Sequence, residues 1–198
     1  MRTPPAVLSA LTFLAAGLLT AAQTQIPPAS NQAAVSSMEK KLLHLESNGR
    51  ASPPDPSPTE FAEQEVNAYF AAGKVKLPAG VHSVHFESQA AVVTATLKVD
   101  FDQIRTGRNS NNPLLYVFTG VHTVVVVAHA HGKDGQGWVH VDSVALDGSE
   151  IPPFVLQVFV QKFLQPKYPD IGIDSRFPLP DRIDSATVGR QKLILIQR

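Results

Sequence analysis

The sequence predicts an α+β domain in which a curved antiparallel β-sheet lies around a long apolar helix, with a second helix nearer the N-terminus. Two observations lead to this fold class. The middle of the chain contains long segments in which apolar residues alternate with mixed or polar ones, the period of a strand with one buried face. They are followed by "PPFVLQVFVQKFLQP", which has the length of a helix and is apolar on nearly every side.

The N-terminal helix of the domain is predicted from a start signal. In "SPTE", Ser57 can cap a helix, Pro58 suits its first position and Glu60 completes a capping box. The helix should then run through "TEFAEQEVNAYFAAG" and end at Gly73. The side chains predicted to form its buried stripe are Ala62, Val66, Tyr69 and Phe70.

Strands are predicted on both sides of a glycine-rich turn. Residues 91–101 alternate strictly, and "AGVHSVHFES" before them has the character of a shorter strand. Residues 121–131 and 138–146 form two further long strands, and the tail "RIDSATVGRQKLILIQR" predicts a hairpin around Gly189. Runs of antiparallel strands between helices favour an α+β fold over an alternating α/β one.

Residues 1–22 have the pattern of a secretory signal peptide. A basic Arg2 precedes the apolar run "AVLSALTFLAAGLLTAA", which ends in small residues with Thr20 and Ala22 before the expected cleavage site. An uncleaved membrane anchor is the alternative, but the run is shorter than the roughly 20 residues that span a bilayer. We therefore expect an exported protein, periplasmic or extracellular after cleavage.

Residues 23–57 are predicted to be a proline- and serine-rich lead, and residues 58–198 a single domain. One stretch of the lead, "SSMEKKLLHLES", places Met38, Leu42 and Leu45 on one helical stripe. This short amphipathic helix could dock on the body of the protein or lie on a membrane.

Composition excludes several classes of function. The chain has no cysteine, so disulfides, thiol catalysis and cysteine-bound metal are excluded. Basic and acidic residues number 17 each, so bulk charge attracts neither nucleic acid nor an anionic membrane. Phosphate loops, nucleophile elbows and His-Glu-x-x-His motifs are absent, and Glu63 and Glu65 diverge on their helix. We expect a non-enzymatic protein without a cofactor or a nucleic-acid partner.

The stretch "VVVVAHAHGKDGQGWVHVDSV" raises the question of a metal site. Asp134-Gly135 is a favourable two-residue turn, and it would place His129 directly opposite His140 and Asp142 opposite Val127. Opposed Cβ atoms lie about 5 Å apart, a spacing at which two imidazoles can bind one zinc or copper ion. The candidate metal ligands on this face are His129, His131, His140 and Asp142.

The other face of the same hairpin argues against a metal site. It carries a nearly continuous apolar set and is the natural side for the core, so the histidines should face water. No carboxylates are evident from the sequence to orient the imidazoles. The sequence therefore favours a solvated histidine face. The apolar set is Val124, Val126, Ala128 and Ala130 with Val139, Val141 and Ala145.

The apolar strands and the apolar helix have two interpretations. They could fill each other's faces as an ordinary core, or they could leave a groove for an aliphatic chain. Each buried methylene group contributes about 0.8 kcal/mol, so even a partly covered acyl chain would bind without a catalytic group. The residues predicted to line such a groove are Val93, Ala95, Leu97, Val99, Val124, Val126, Phe154, Val158 and Phe159.

Several passages together resemble a known family. They are "TEFAEQEVNAYF", "VKLPAGV", "VDFDQI", "GQGWVHVDSVALDGSEIPPFVLQVFV" and "FPLPDRIDSATVGRQKLILIQ", spread over residues 59–197. This order is similar to that of bacterial exported proteins of the tubular lipid-binding (TULIP-like) superfamily, of the LmeA type. The resemblance implies a strongly curved sheet wrapped around a long helix, and an apolar tunnel that carries lipid. It implies no catalytic residues.

The expected partner is thus a lipid or another aliphatic ligand, with peripheral contact to a membrane. Two other classes stay open. One is an envelope protein-interaction module with a filled core, which would dock through the helix at residues 38–45 or a sheet edge. The other is a periplasmic metal-binding protein that uses the histidines.

Overall fold

A computed structural model describes residues 29–105, 119–165 and 170–198, which form an α+β fold with one nine-stranded sheet. The helices are α1 Ala29–Gly49, α2 Glu63–Ala71, α3 Phe101–Arg105 and α4 Pro153–Phe159, which continues as the π-helical segment Val160–Leu164. The strands are β1 Thr59–Ala62, β2 Val81–Gln89, β3 Val92–Asp100, β4 Val121–Lys133, β5 Gln136–Leu146, β6 Ser149–Glu150, β7 Asp174–Pro178, β8 Ile183–Gly189 and β9 Lys192–Gln197. The predicted α+β class with an antiparallel sheet is confirmed.

Strand β4 is the centre of the sheet, whose main order is β1-β9-β8-β4-β3-β2. Along one edge β4 pairs with β5, which pairs in turn with β6 and β7. Along the other edge β3 pairs with β4 as far as His129, and β8 pairs with it at His131 and Gly132. The sheet therefore divides beside β4 into two limbs, one formed by β3 and β2 and the other by β8, β9 and β1.

The histidine hairpin has the predicted register. Asp134 and Gly135 both have positive φ angles, 53° and 72°, as a tight hairpin turn requires. His129 lies opposite His140, as the turn predicts.

A β-bulge then changes the pairing beyond Ala128. Ala128 pairs with Val141, but Val127 pairs with Ser143, so Asp142 is the extra residue. The predicted placement of Asp142 opposite Val127 is wrong for this reason. The bulge also brings Val144 to the face of Val126, and it moves Ala145 away from that face.

The helix predicted at residues 38–45 is too short, because α1 extends over 21 residues. Good helix formers occupy most of it, and neither proline nor an internal glycine interrupts it. Its apolar stripe is buried in a core cluster shared with α2, β1, β8 and β9. The part of the predicted lead that begins at Ala29 therefore belongs to the body of the protein. The buried residues of the stripe are Val35, Met38, Leu42 and Leu45.

A buried amide network fixes the end of α1 to the last strand. The Asn48 amide donates a hydrogen bond to Gln197 Oε1 at 2.8 Å, and the Gln197 amide donates to the Leu45 carbonyl at 2.8 Å. Asn48 and Gln197 are both buried, so an unmade bond here would leave a polar group without solvent. The network joins the two ends of the described chain.

The predicted helix start at Ser57 is wrong. Residues Thr59–Ala62 form β1, which pairs with β9, and α2 begins only at Glu63. Phe61 lies opposite Leu193 and is only 2% exposed, so burial on the sheet overrides the local capping signal. The working cap is Glu65, whose Oε2 accepts a hydrogen bond from the Ala62 backbone at 2.8 Å.

The second predicted helix is present, but its predicted burial is not confirmed. None of the α4 residues is buried, and Phe154 is 70% exposed. A sheet wrapped around a long apolar helix is thus not what the described residues show. α4 instead connects β6 to β7, and both of these strands pair with β5.

The predicted signal peptide, residues 1–22, lies outside the described residues. Within the described ranges, no helix has the length and apolar character needed to cross a membrane.

Candidate functional site

The apolar residues predicted on β3 and β4 lie together on one face of the sheet, here called the inner face. Leu97 pairs with Val124, and Val124 pairs with Leu146 on β5. Ala95 pairs with Val126, and directly opposed residues of antiparallel strands share a face. The structure therefore brings together all six predicted strand residues, Val93, Ala95, Leu97, Val99, Val124 and Val126.

Burial decreases across the inner face from β3 to β4. Ala95, Leu97 and Val99 are buried, whereas Val124 and Val126 are half-buried. Val93, at the other end of β3, is also half-buried. On this face, the apolar side chains of β4 that stay partly exposed between His122 and the buried Ala128 are therefore Val124 and Val126, about 7 Å apart at roughly 3.3 Å per residue.

Aromatic and aliphatic residues outside the predicted set complete this cluster. Phe101 at the start of α3 is buried in it, and Val84 and Phe86 of β2 pack against it. Leu146 also packs against the cluster, although the sequence pattern placed it on the other face. Only the bulge at Asp142 brings Leu146 inward, and its position in a regular alternating strand gives no signal of that.

The three predicted helix residues do not have the predicted environment. Val158 and Phe159 are half-buried and Phe154 is exposed, and none of the three belongs to a core cluster of the described residues. The segment that leads into α4 is held to β5, since Ile151 N–H donates to the Val144 carbonyl at 2.7 Å. α4 is therefore an apolar helix with no fully buried residue.

His122, near the start of β4, lies at one end of the inner face and contacts the turn between β5 and β6. His122 Nδ1 lies 2.5 Å from the Asp147 carboxylate, and its Nε2 lies 3.0 Å from the Thr119 carbonyl. Both partners are acceptors, so the imidazolium form, which carries hydrogen on both ring nitrogens, satisfies both contacts. The hydrogen bonds to Asp147 and to Thr119 raise the pKa of His122. Its ring also packs edge-on against Phe101, with 5.5 Å between centroids.

The opposite, outer face of the sheet carries the three histidines of the hairpin, His129, His131 and His140. His129 Nδ1 lies 2.8 Å from Asp142, and His140 Nδ1 lies 2.6 Å from Asp174 of β7. The hydrogen bond to Asp174 raises the pKa of His140. These side chains are exposed, as predicted for a solvated face.

His131 has a different environment from the other two histidines of the hairpin. Its ring stacks on Trp138, with 5.1 Å between centroids and 11° between planes. The Arg176 guanidinium lies over the same indole at 5.1 Å. Within the described ranges, no three His, Cys, Asp or Glu side chains converge to hold a metal ion, so the four candidate ligands do not form one site together.

Polar residues of α2 form hydrogen bonds that connect this helix to α1 and β2. The Glu65 carboxylate accepts hydrogen bonds from Lys41 at 2.6 Å and from Ser37 at 2.5 Å. Burial alone would raise the pKa of Glu65, but these hydrogen bonds lower it. Glu63 instead accepts a hydrogen bond from the Ser88 backbone at 2.5 Å, and Asn67 bonds both backbone groups of Phe86. The two carboxylates diverge, as predicted.

A groove of about 560 Å³, lined largely by polar residues, lies between α2 and β2. Its lining includes Glu63 and Asn67, whose side chains are already engaged with β2, together with the exposed His85. None of the predicted lipid-contacting residues lines it. The groove is therefore separate from the inner face.

Comparison of the chain with protein-family models, with curated proteins and with solved structures found no match.

Proposed function

We propose that this is an exported, non-enzymatic protein that binds a lipid acyl chain between the inner face and α4. One observation supports the proposal above the others. Val124 and Val126 of the inner face are only half-buried and α4 has no buried residue, although both surfaces are apolar. Covering the exposed part of these apolar surfaces with an aliphatic chain removes them from water, which is favourable in free energy.

The magnitude is sufficient for binding. Covering about eight methylene groups of an acyl chain would supply roughly 6 kcal/mol at 0.8 kcal/mol each. Apolar burial requires no particular headgroup contact, and the inner face presents valine, alanine and leucine rather than polar side chains. The proposal therefore concerns the aliphatic part of the ligand and applies to phospholipids and free fatty acids alike.

Native mass spectrometry of protein purified from a membrane-containing host tests the proposal. We expect a lipid adduct close to one per chain, together with uptake of a fluorescent fatty acid by delipidated protein. A clean apo mass combined with no uptake of the fatty acid would reject the proposal.

A matched pair of variants locates the ligand. Val126→Asp places a charge on the inner face and should abolish uptake, because a carboxylate there would be buried by the acyl chain. Val125→Asp places the same charge on the outer face of the same strand and should leave uptake unchanged. Circular dichroism of both variants checks the fold. Equal uptake by the two folded variants would show that the inner face does not bind the ligand.

A further inference from the structure

The outer face carries two histidines whose rings are each held by a carboxylate. Asp142 accepts from His129 Nδ1 through both oxygens, at 2.9 and 2.8 Å. Asp174 accepts from His140 Nδ1 at 2.6 Å. A metal-binding histidine usually donates its second ring nitrogen to a carboxylate or carbonyl, which orients the ring and increases its basicity. Both histidines thus have the hydrogen-bonding partner that metal ligands use.

These contacts determine which nitrogen is free. An ionised carboxylate only accepts hydrogen bonds, so Nδ1 is the protonated nitrogen of each neutral ring. The lone pair is then on Nε2, the nitrogen that a metal would bind. The side chains of His129 and His140 are 56% and 55% exposed, so a dissolved ion can reach them.

The sheet register places the two histidines side by side. His129 and His140 are directly opposed on β4 and β5, where Cβ atoms lie about 5 Å apart. We propose that His129 and His140 chelate one divalent transition-metal ion through their Nε2 atoms, Cu²⁺ more tightly than Zn²⁺, with water completing the coordination. The carboxylates of Asp142 and Asp174 add negative charge beside a divalent cation.

The other residues nearby have different roles. Asp142 is a positioning residue, since its two oxygens are already directed at His129. His131 is a poor ligand, because its ring is stacked on Trp138. Two imidazoles and water form an exchangeable site, which agrees with the lack of any convergent three-ligand cluster in the described residues. Such a site would be independent of the inner face, which lies on the opposite side of the sheet.

Isothermal titration with CuCl₂ and with ZnSO₄, in a buffer that does not coordinate metals, tests the site. We expect one Cu²⁺ per chain, weakened at least about 10-fold in His129→Ala and in His140→Ala, since losing a ligand costs no less than losing its orienting partner. His85→Ala, which removes an exposed strand histidine on β2, is the control and should bind as the wild type does. Unchanged affinity and stoichiometry in the His129→Ala/His140→Ala double variant would overturn the proposal.

Electron paramagnetic resonance of the Cu²⁺ complex separates ligands from positioning residues. The spectrum should show two bound imidazole nitrogens in the wild type and one in each single histidine variant. The Asp142→Ala/Asp174→Ala variant should keep two nitrogens while its affinity falls about 10-fold. A nitrogen number that does not change in either histidine variant would show that the ion binds elsewhere.

Discussion

The two apolar regions of this protein, the cluster around α1 and α2 and the inner face of the sheet, differ in how completely their side chains are buried. The region around α1 and α2 contains twelve buried residues of the described chain, contributed also by β1, β8 and β9. The inner face contains four, Ala95, Leu97, Val99 and Phe101, and its apolar neighbours on β4 and β5 are only partly buried. A close-packed core stabilises a fold most when its apolar side chains are fully buried. The first region should therefore carry the stability, while the second retains surface that a ligand could cover.

The polar contacts of the two regions differ in the same sense. Around α1 and α2, polar side chains make buried or partly buried contacts, as Lys41 does with Glu65 and Asn48 with Gln197. Beside the inner face, the His122 and Asp147 contact lies at an exposed turn. Substitutions that remove one contact at a time can test this contrast.

The largest effect is expected from a matched pair of leucine truncations. Leu45 is 0% exposed and Leu146 is half-buried. Because Leu→Ala costs about 2–5 kcal/mol depending on burial, we expect Leu45→Ala to lose about 4 and Leu146→Ala about 2 or less. Urea unfolding followed by circular dichroism measures both. Equal losses would mean that the inner face is as completely packed as the α1 region.

The second effect concerns the ion pair between α1 and α2. Lys41→Met removes the cation while keeping the bulk of the side chain, and it leaves the Glu65 carboxylate without its charged partner. A hydrogen bond to a charged group contributes about 1.5–3 kcal/mol, so we expect a loss in that range in the free energy of unfolding. Lys40→Met, at an exposed neighbouring position, is the control. A loss in the control as large as in Lys41→Met would assign the effect to helix propensity.

A smaller effect should depend on pH. The pKa of His122 is raised from 6.5, so its contribution to stability is complete below 6.5 and is lost as pH rises through the folded-state pKa. The pKa of Asp147 is lowered from 3.8, chiefly by the same hydrogen bond, so its contribution is lost as pH falls through the folded-state pKa. The pair therefore stabilises the fold most between these two ordinary values.

Thermal unfolding of His122→Gln as a function of pH measures this contribution. We expect the variant to be less stable than the wild type at pH 6, with the difference shrinking by pH 9. His44→Gln, an exposed change on α1, should show no such dependence. A difference that stays constant from pH 6 to pH 9 would mean that His122 acts by packing against Phe101 alone.

The smallest effect on stability is expected at α4. Phe154 is 70% exposed, so Phe154→Ala should change the free energy of unfolding by no more than about 0.5 kcal/mol. If α4 contacts the proposed acyl chain, the same variant should take up less fluorescent fatty acid. Differential scanning calorimetry measures the change in stability, and the uptake assay measures the change in fatty-acid binding. A large loss of stability would show that Phe154 supports the fold.

Local patterns in the sequence predict much of this fold correctly. The alternation in residues 91–101 and 121–131 predicts β3 and β4, because a two-residue period follows directly from the pleat. The Asp134-Gly135 turn predicts the pairing of His129 with His140, because a tight turn allows few registers. Both signals are short-range, so neither depends on the rest of the chain.

Three other features depend on contacts between distant residues. Thr59–Ala62 becomes a strand because β9, at the far end of the chain, offers an edge and a buried place for Phe61. α1 becomes part of the core because β8 and β9 receive its apolar stripe. The bulge at Asp142 moves Leu146 to the inner face, and a single inserted residue leaves no mark on the alternation around it.

The two candidate sites divide in the same way. The sequence by itself determined which residues of β3 and β4 share the inner face and that the histidines oppose each other across the outer face, since both follow from period and turn. Only the tertiary structure decided that α4 has no fully buried residue and that His140 finds its carboxylate partner. Asp174 lies 34 residues from His140 and reaches it only because β7 pairs with β5. Burial and hydrogen bonding across such separations are properties of the assembled sheet, which no local pattern encodes.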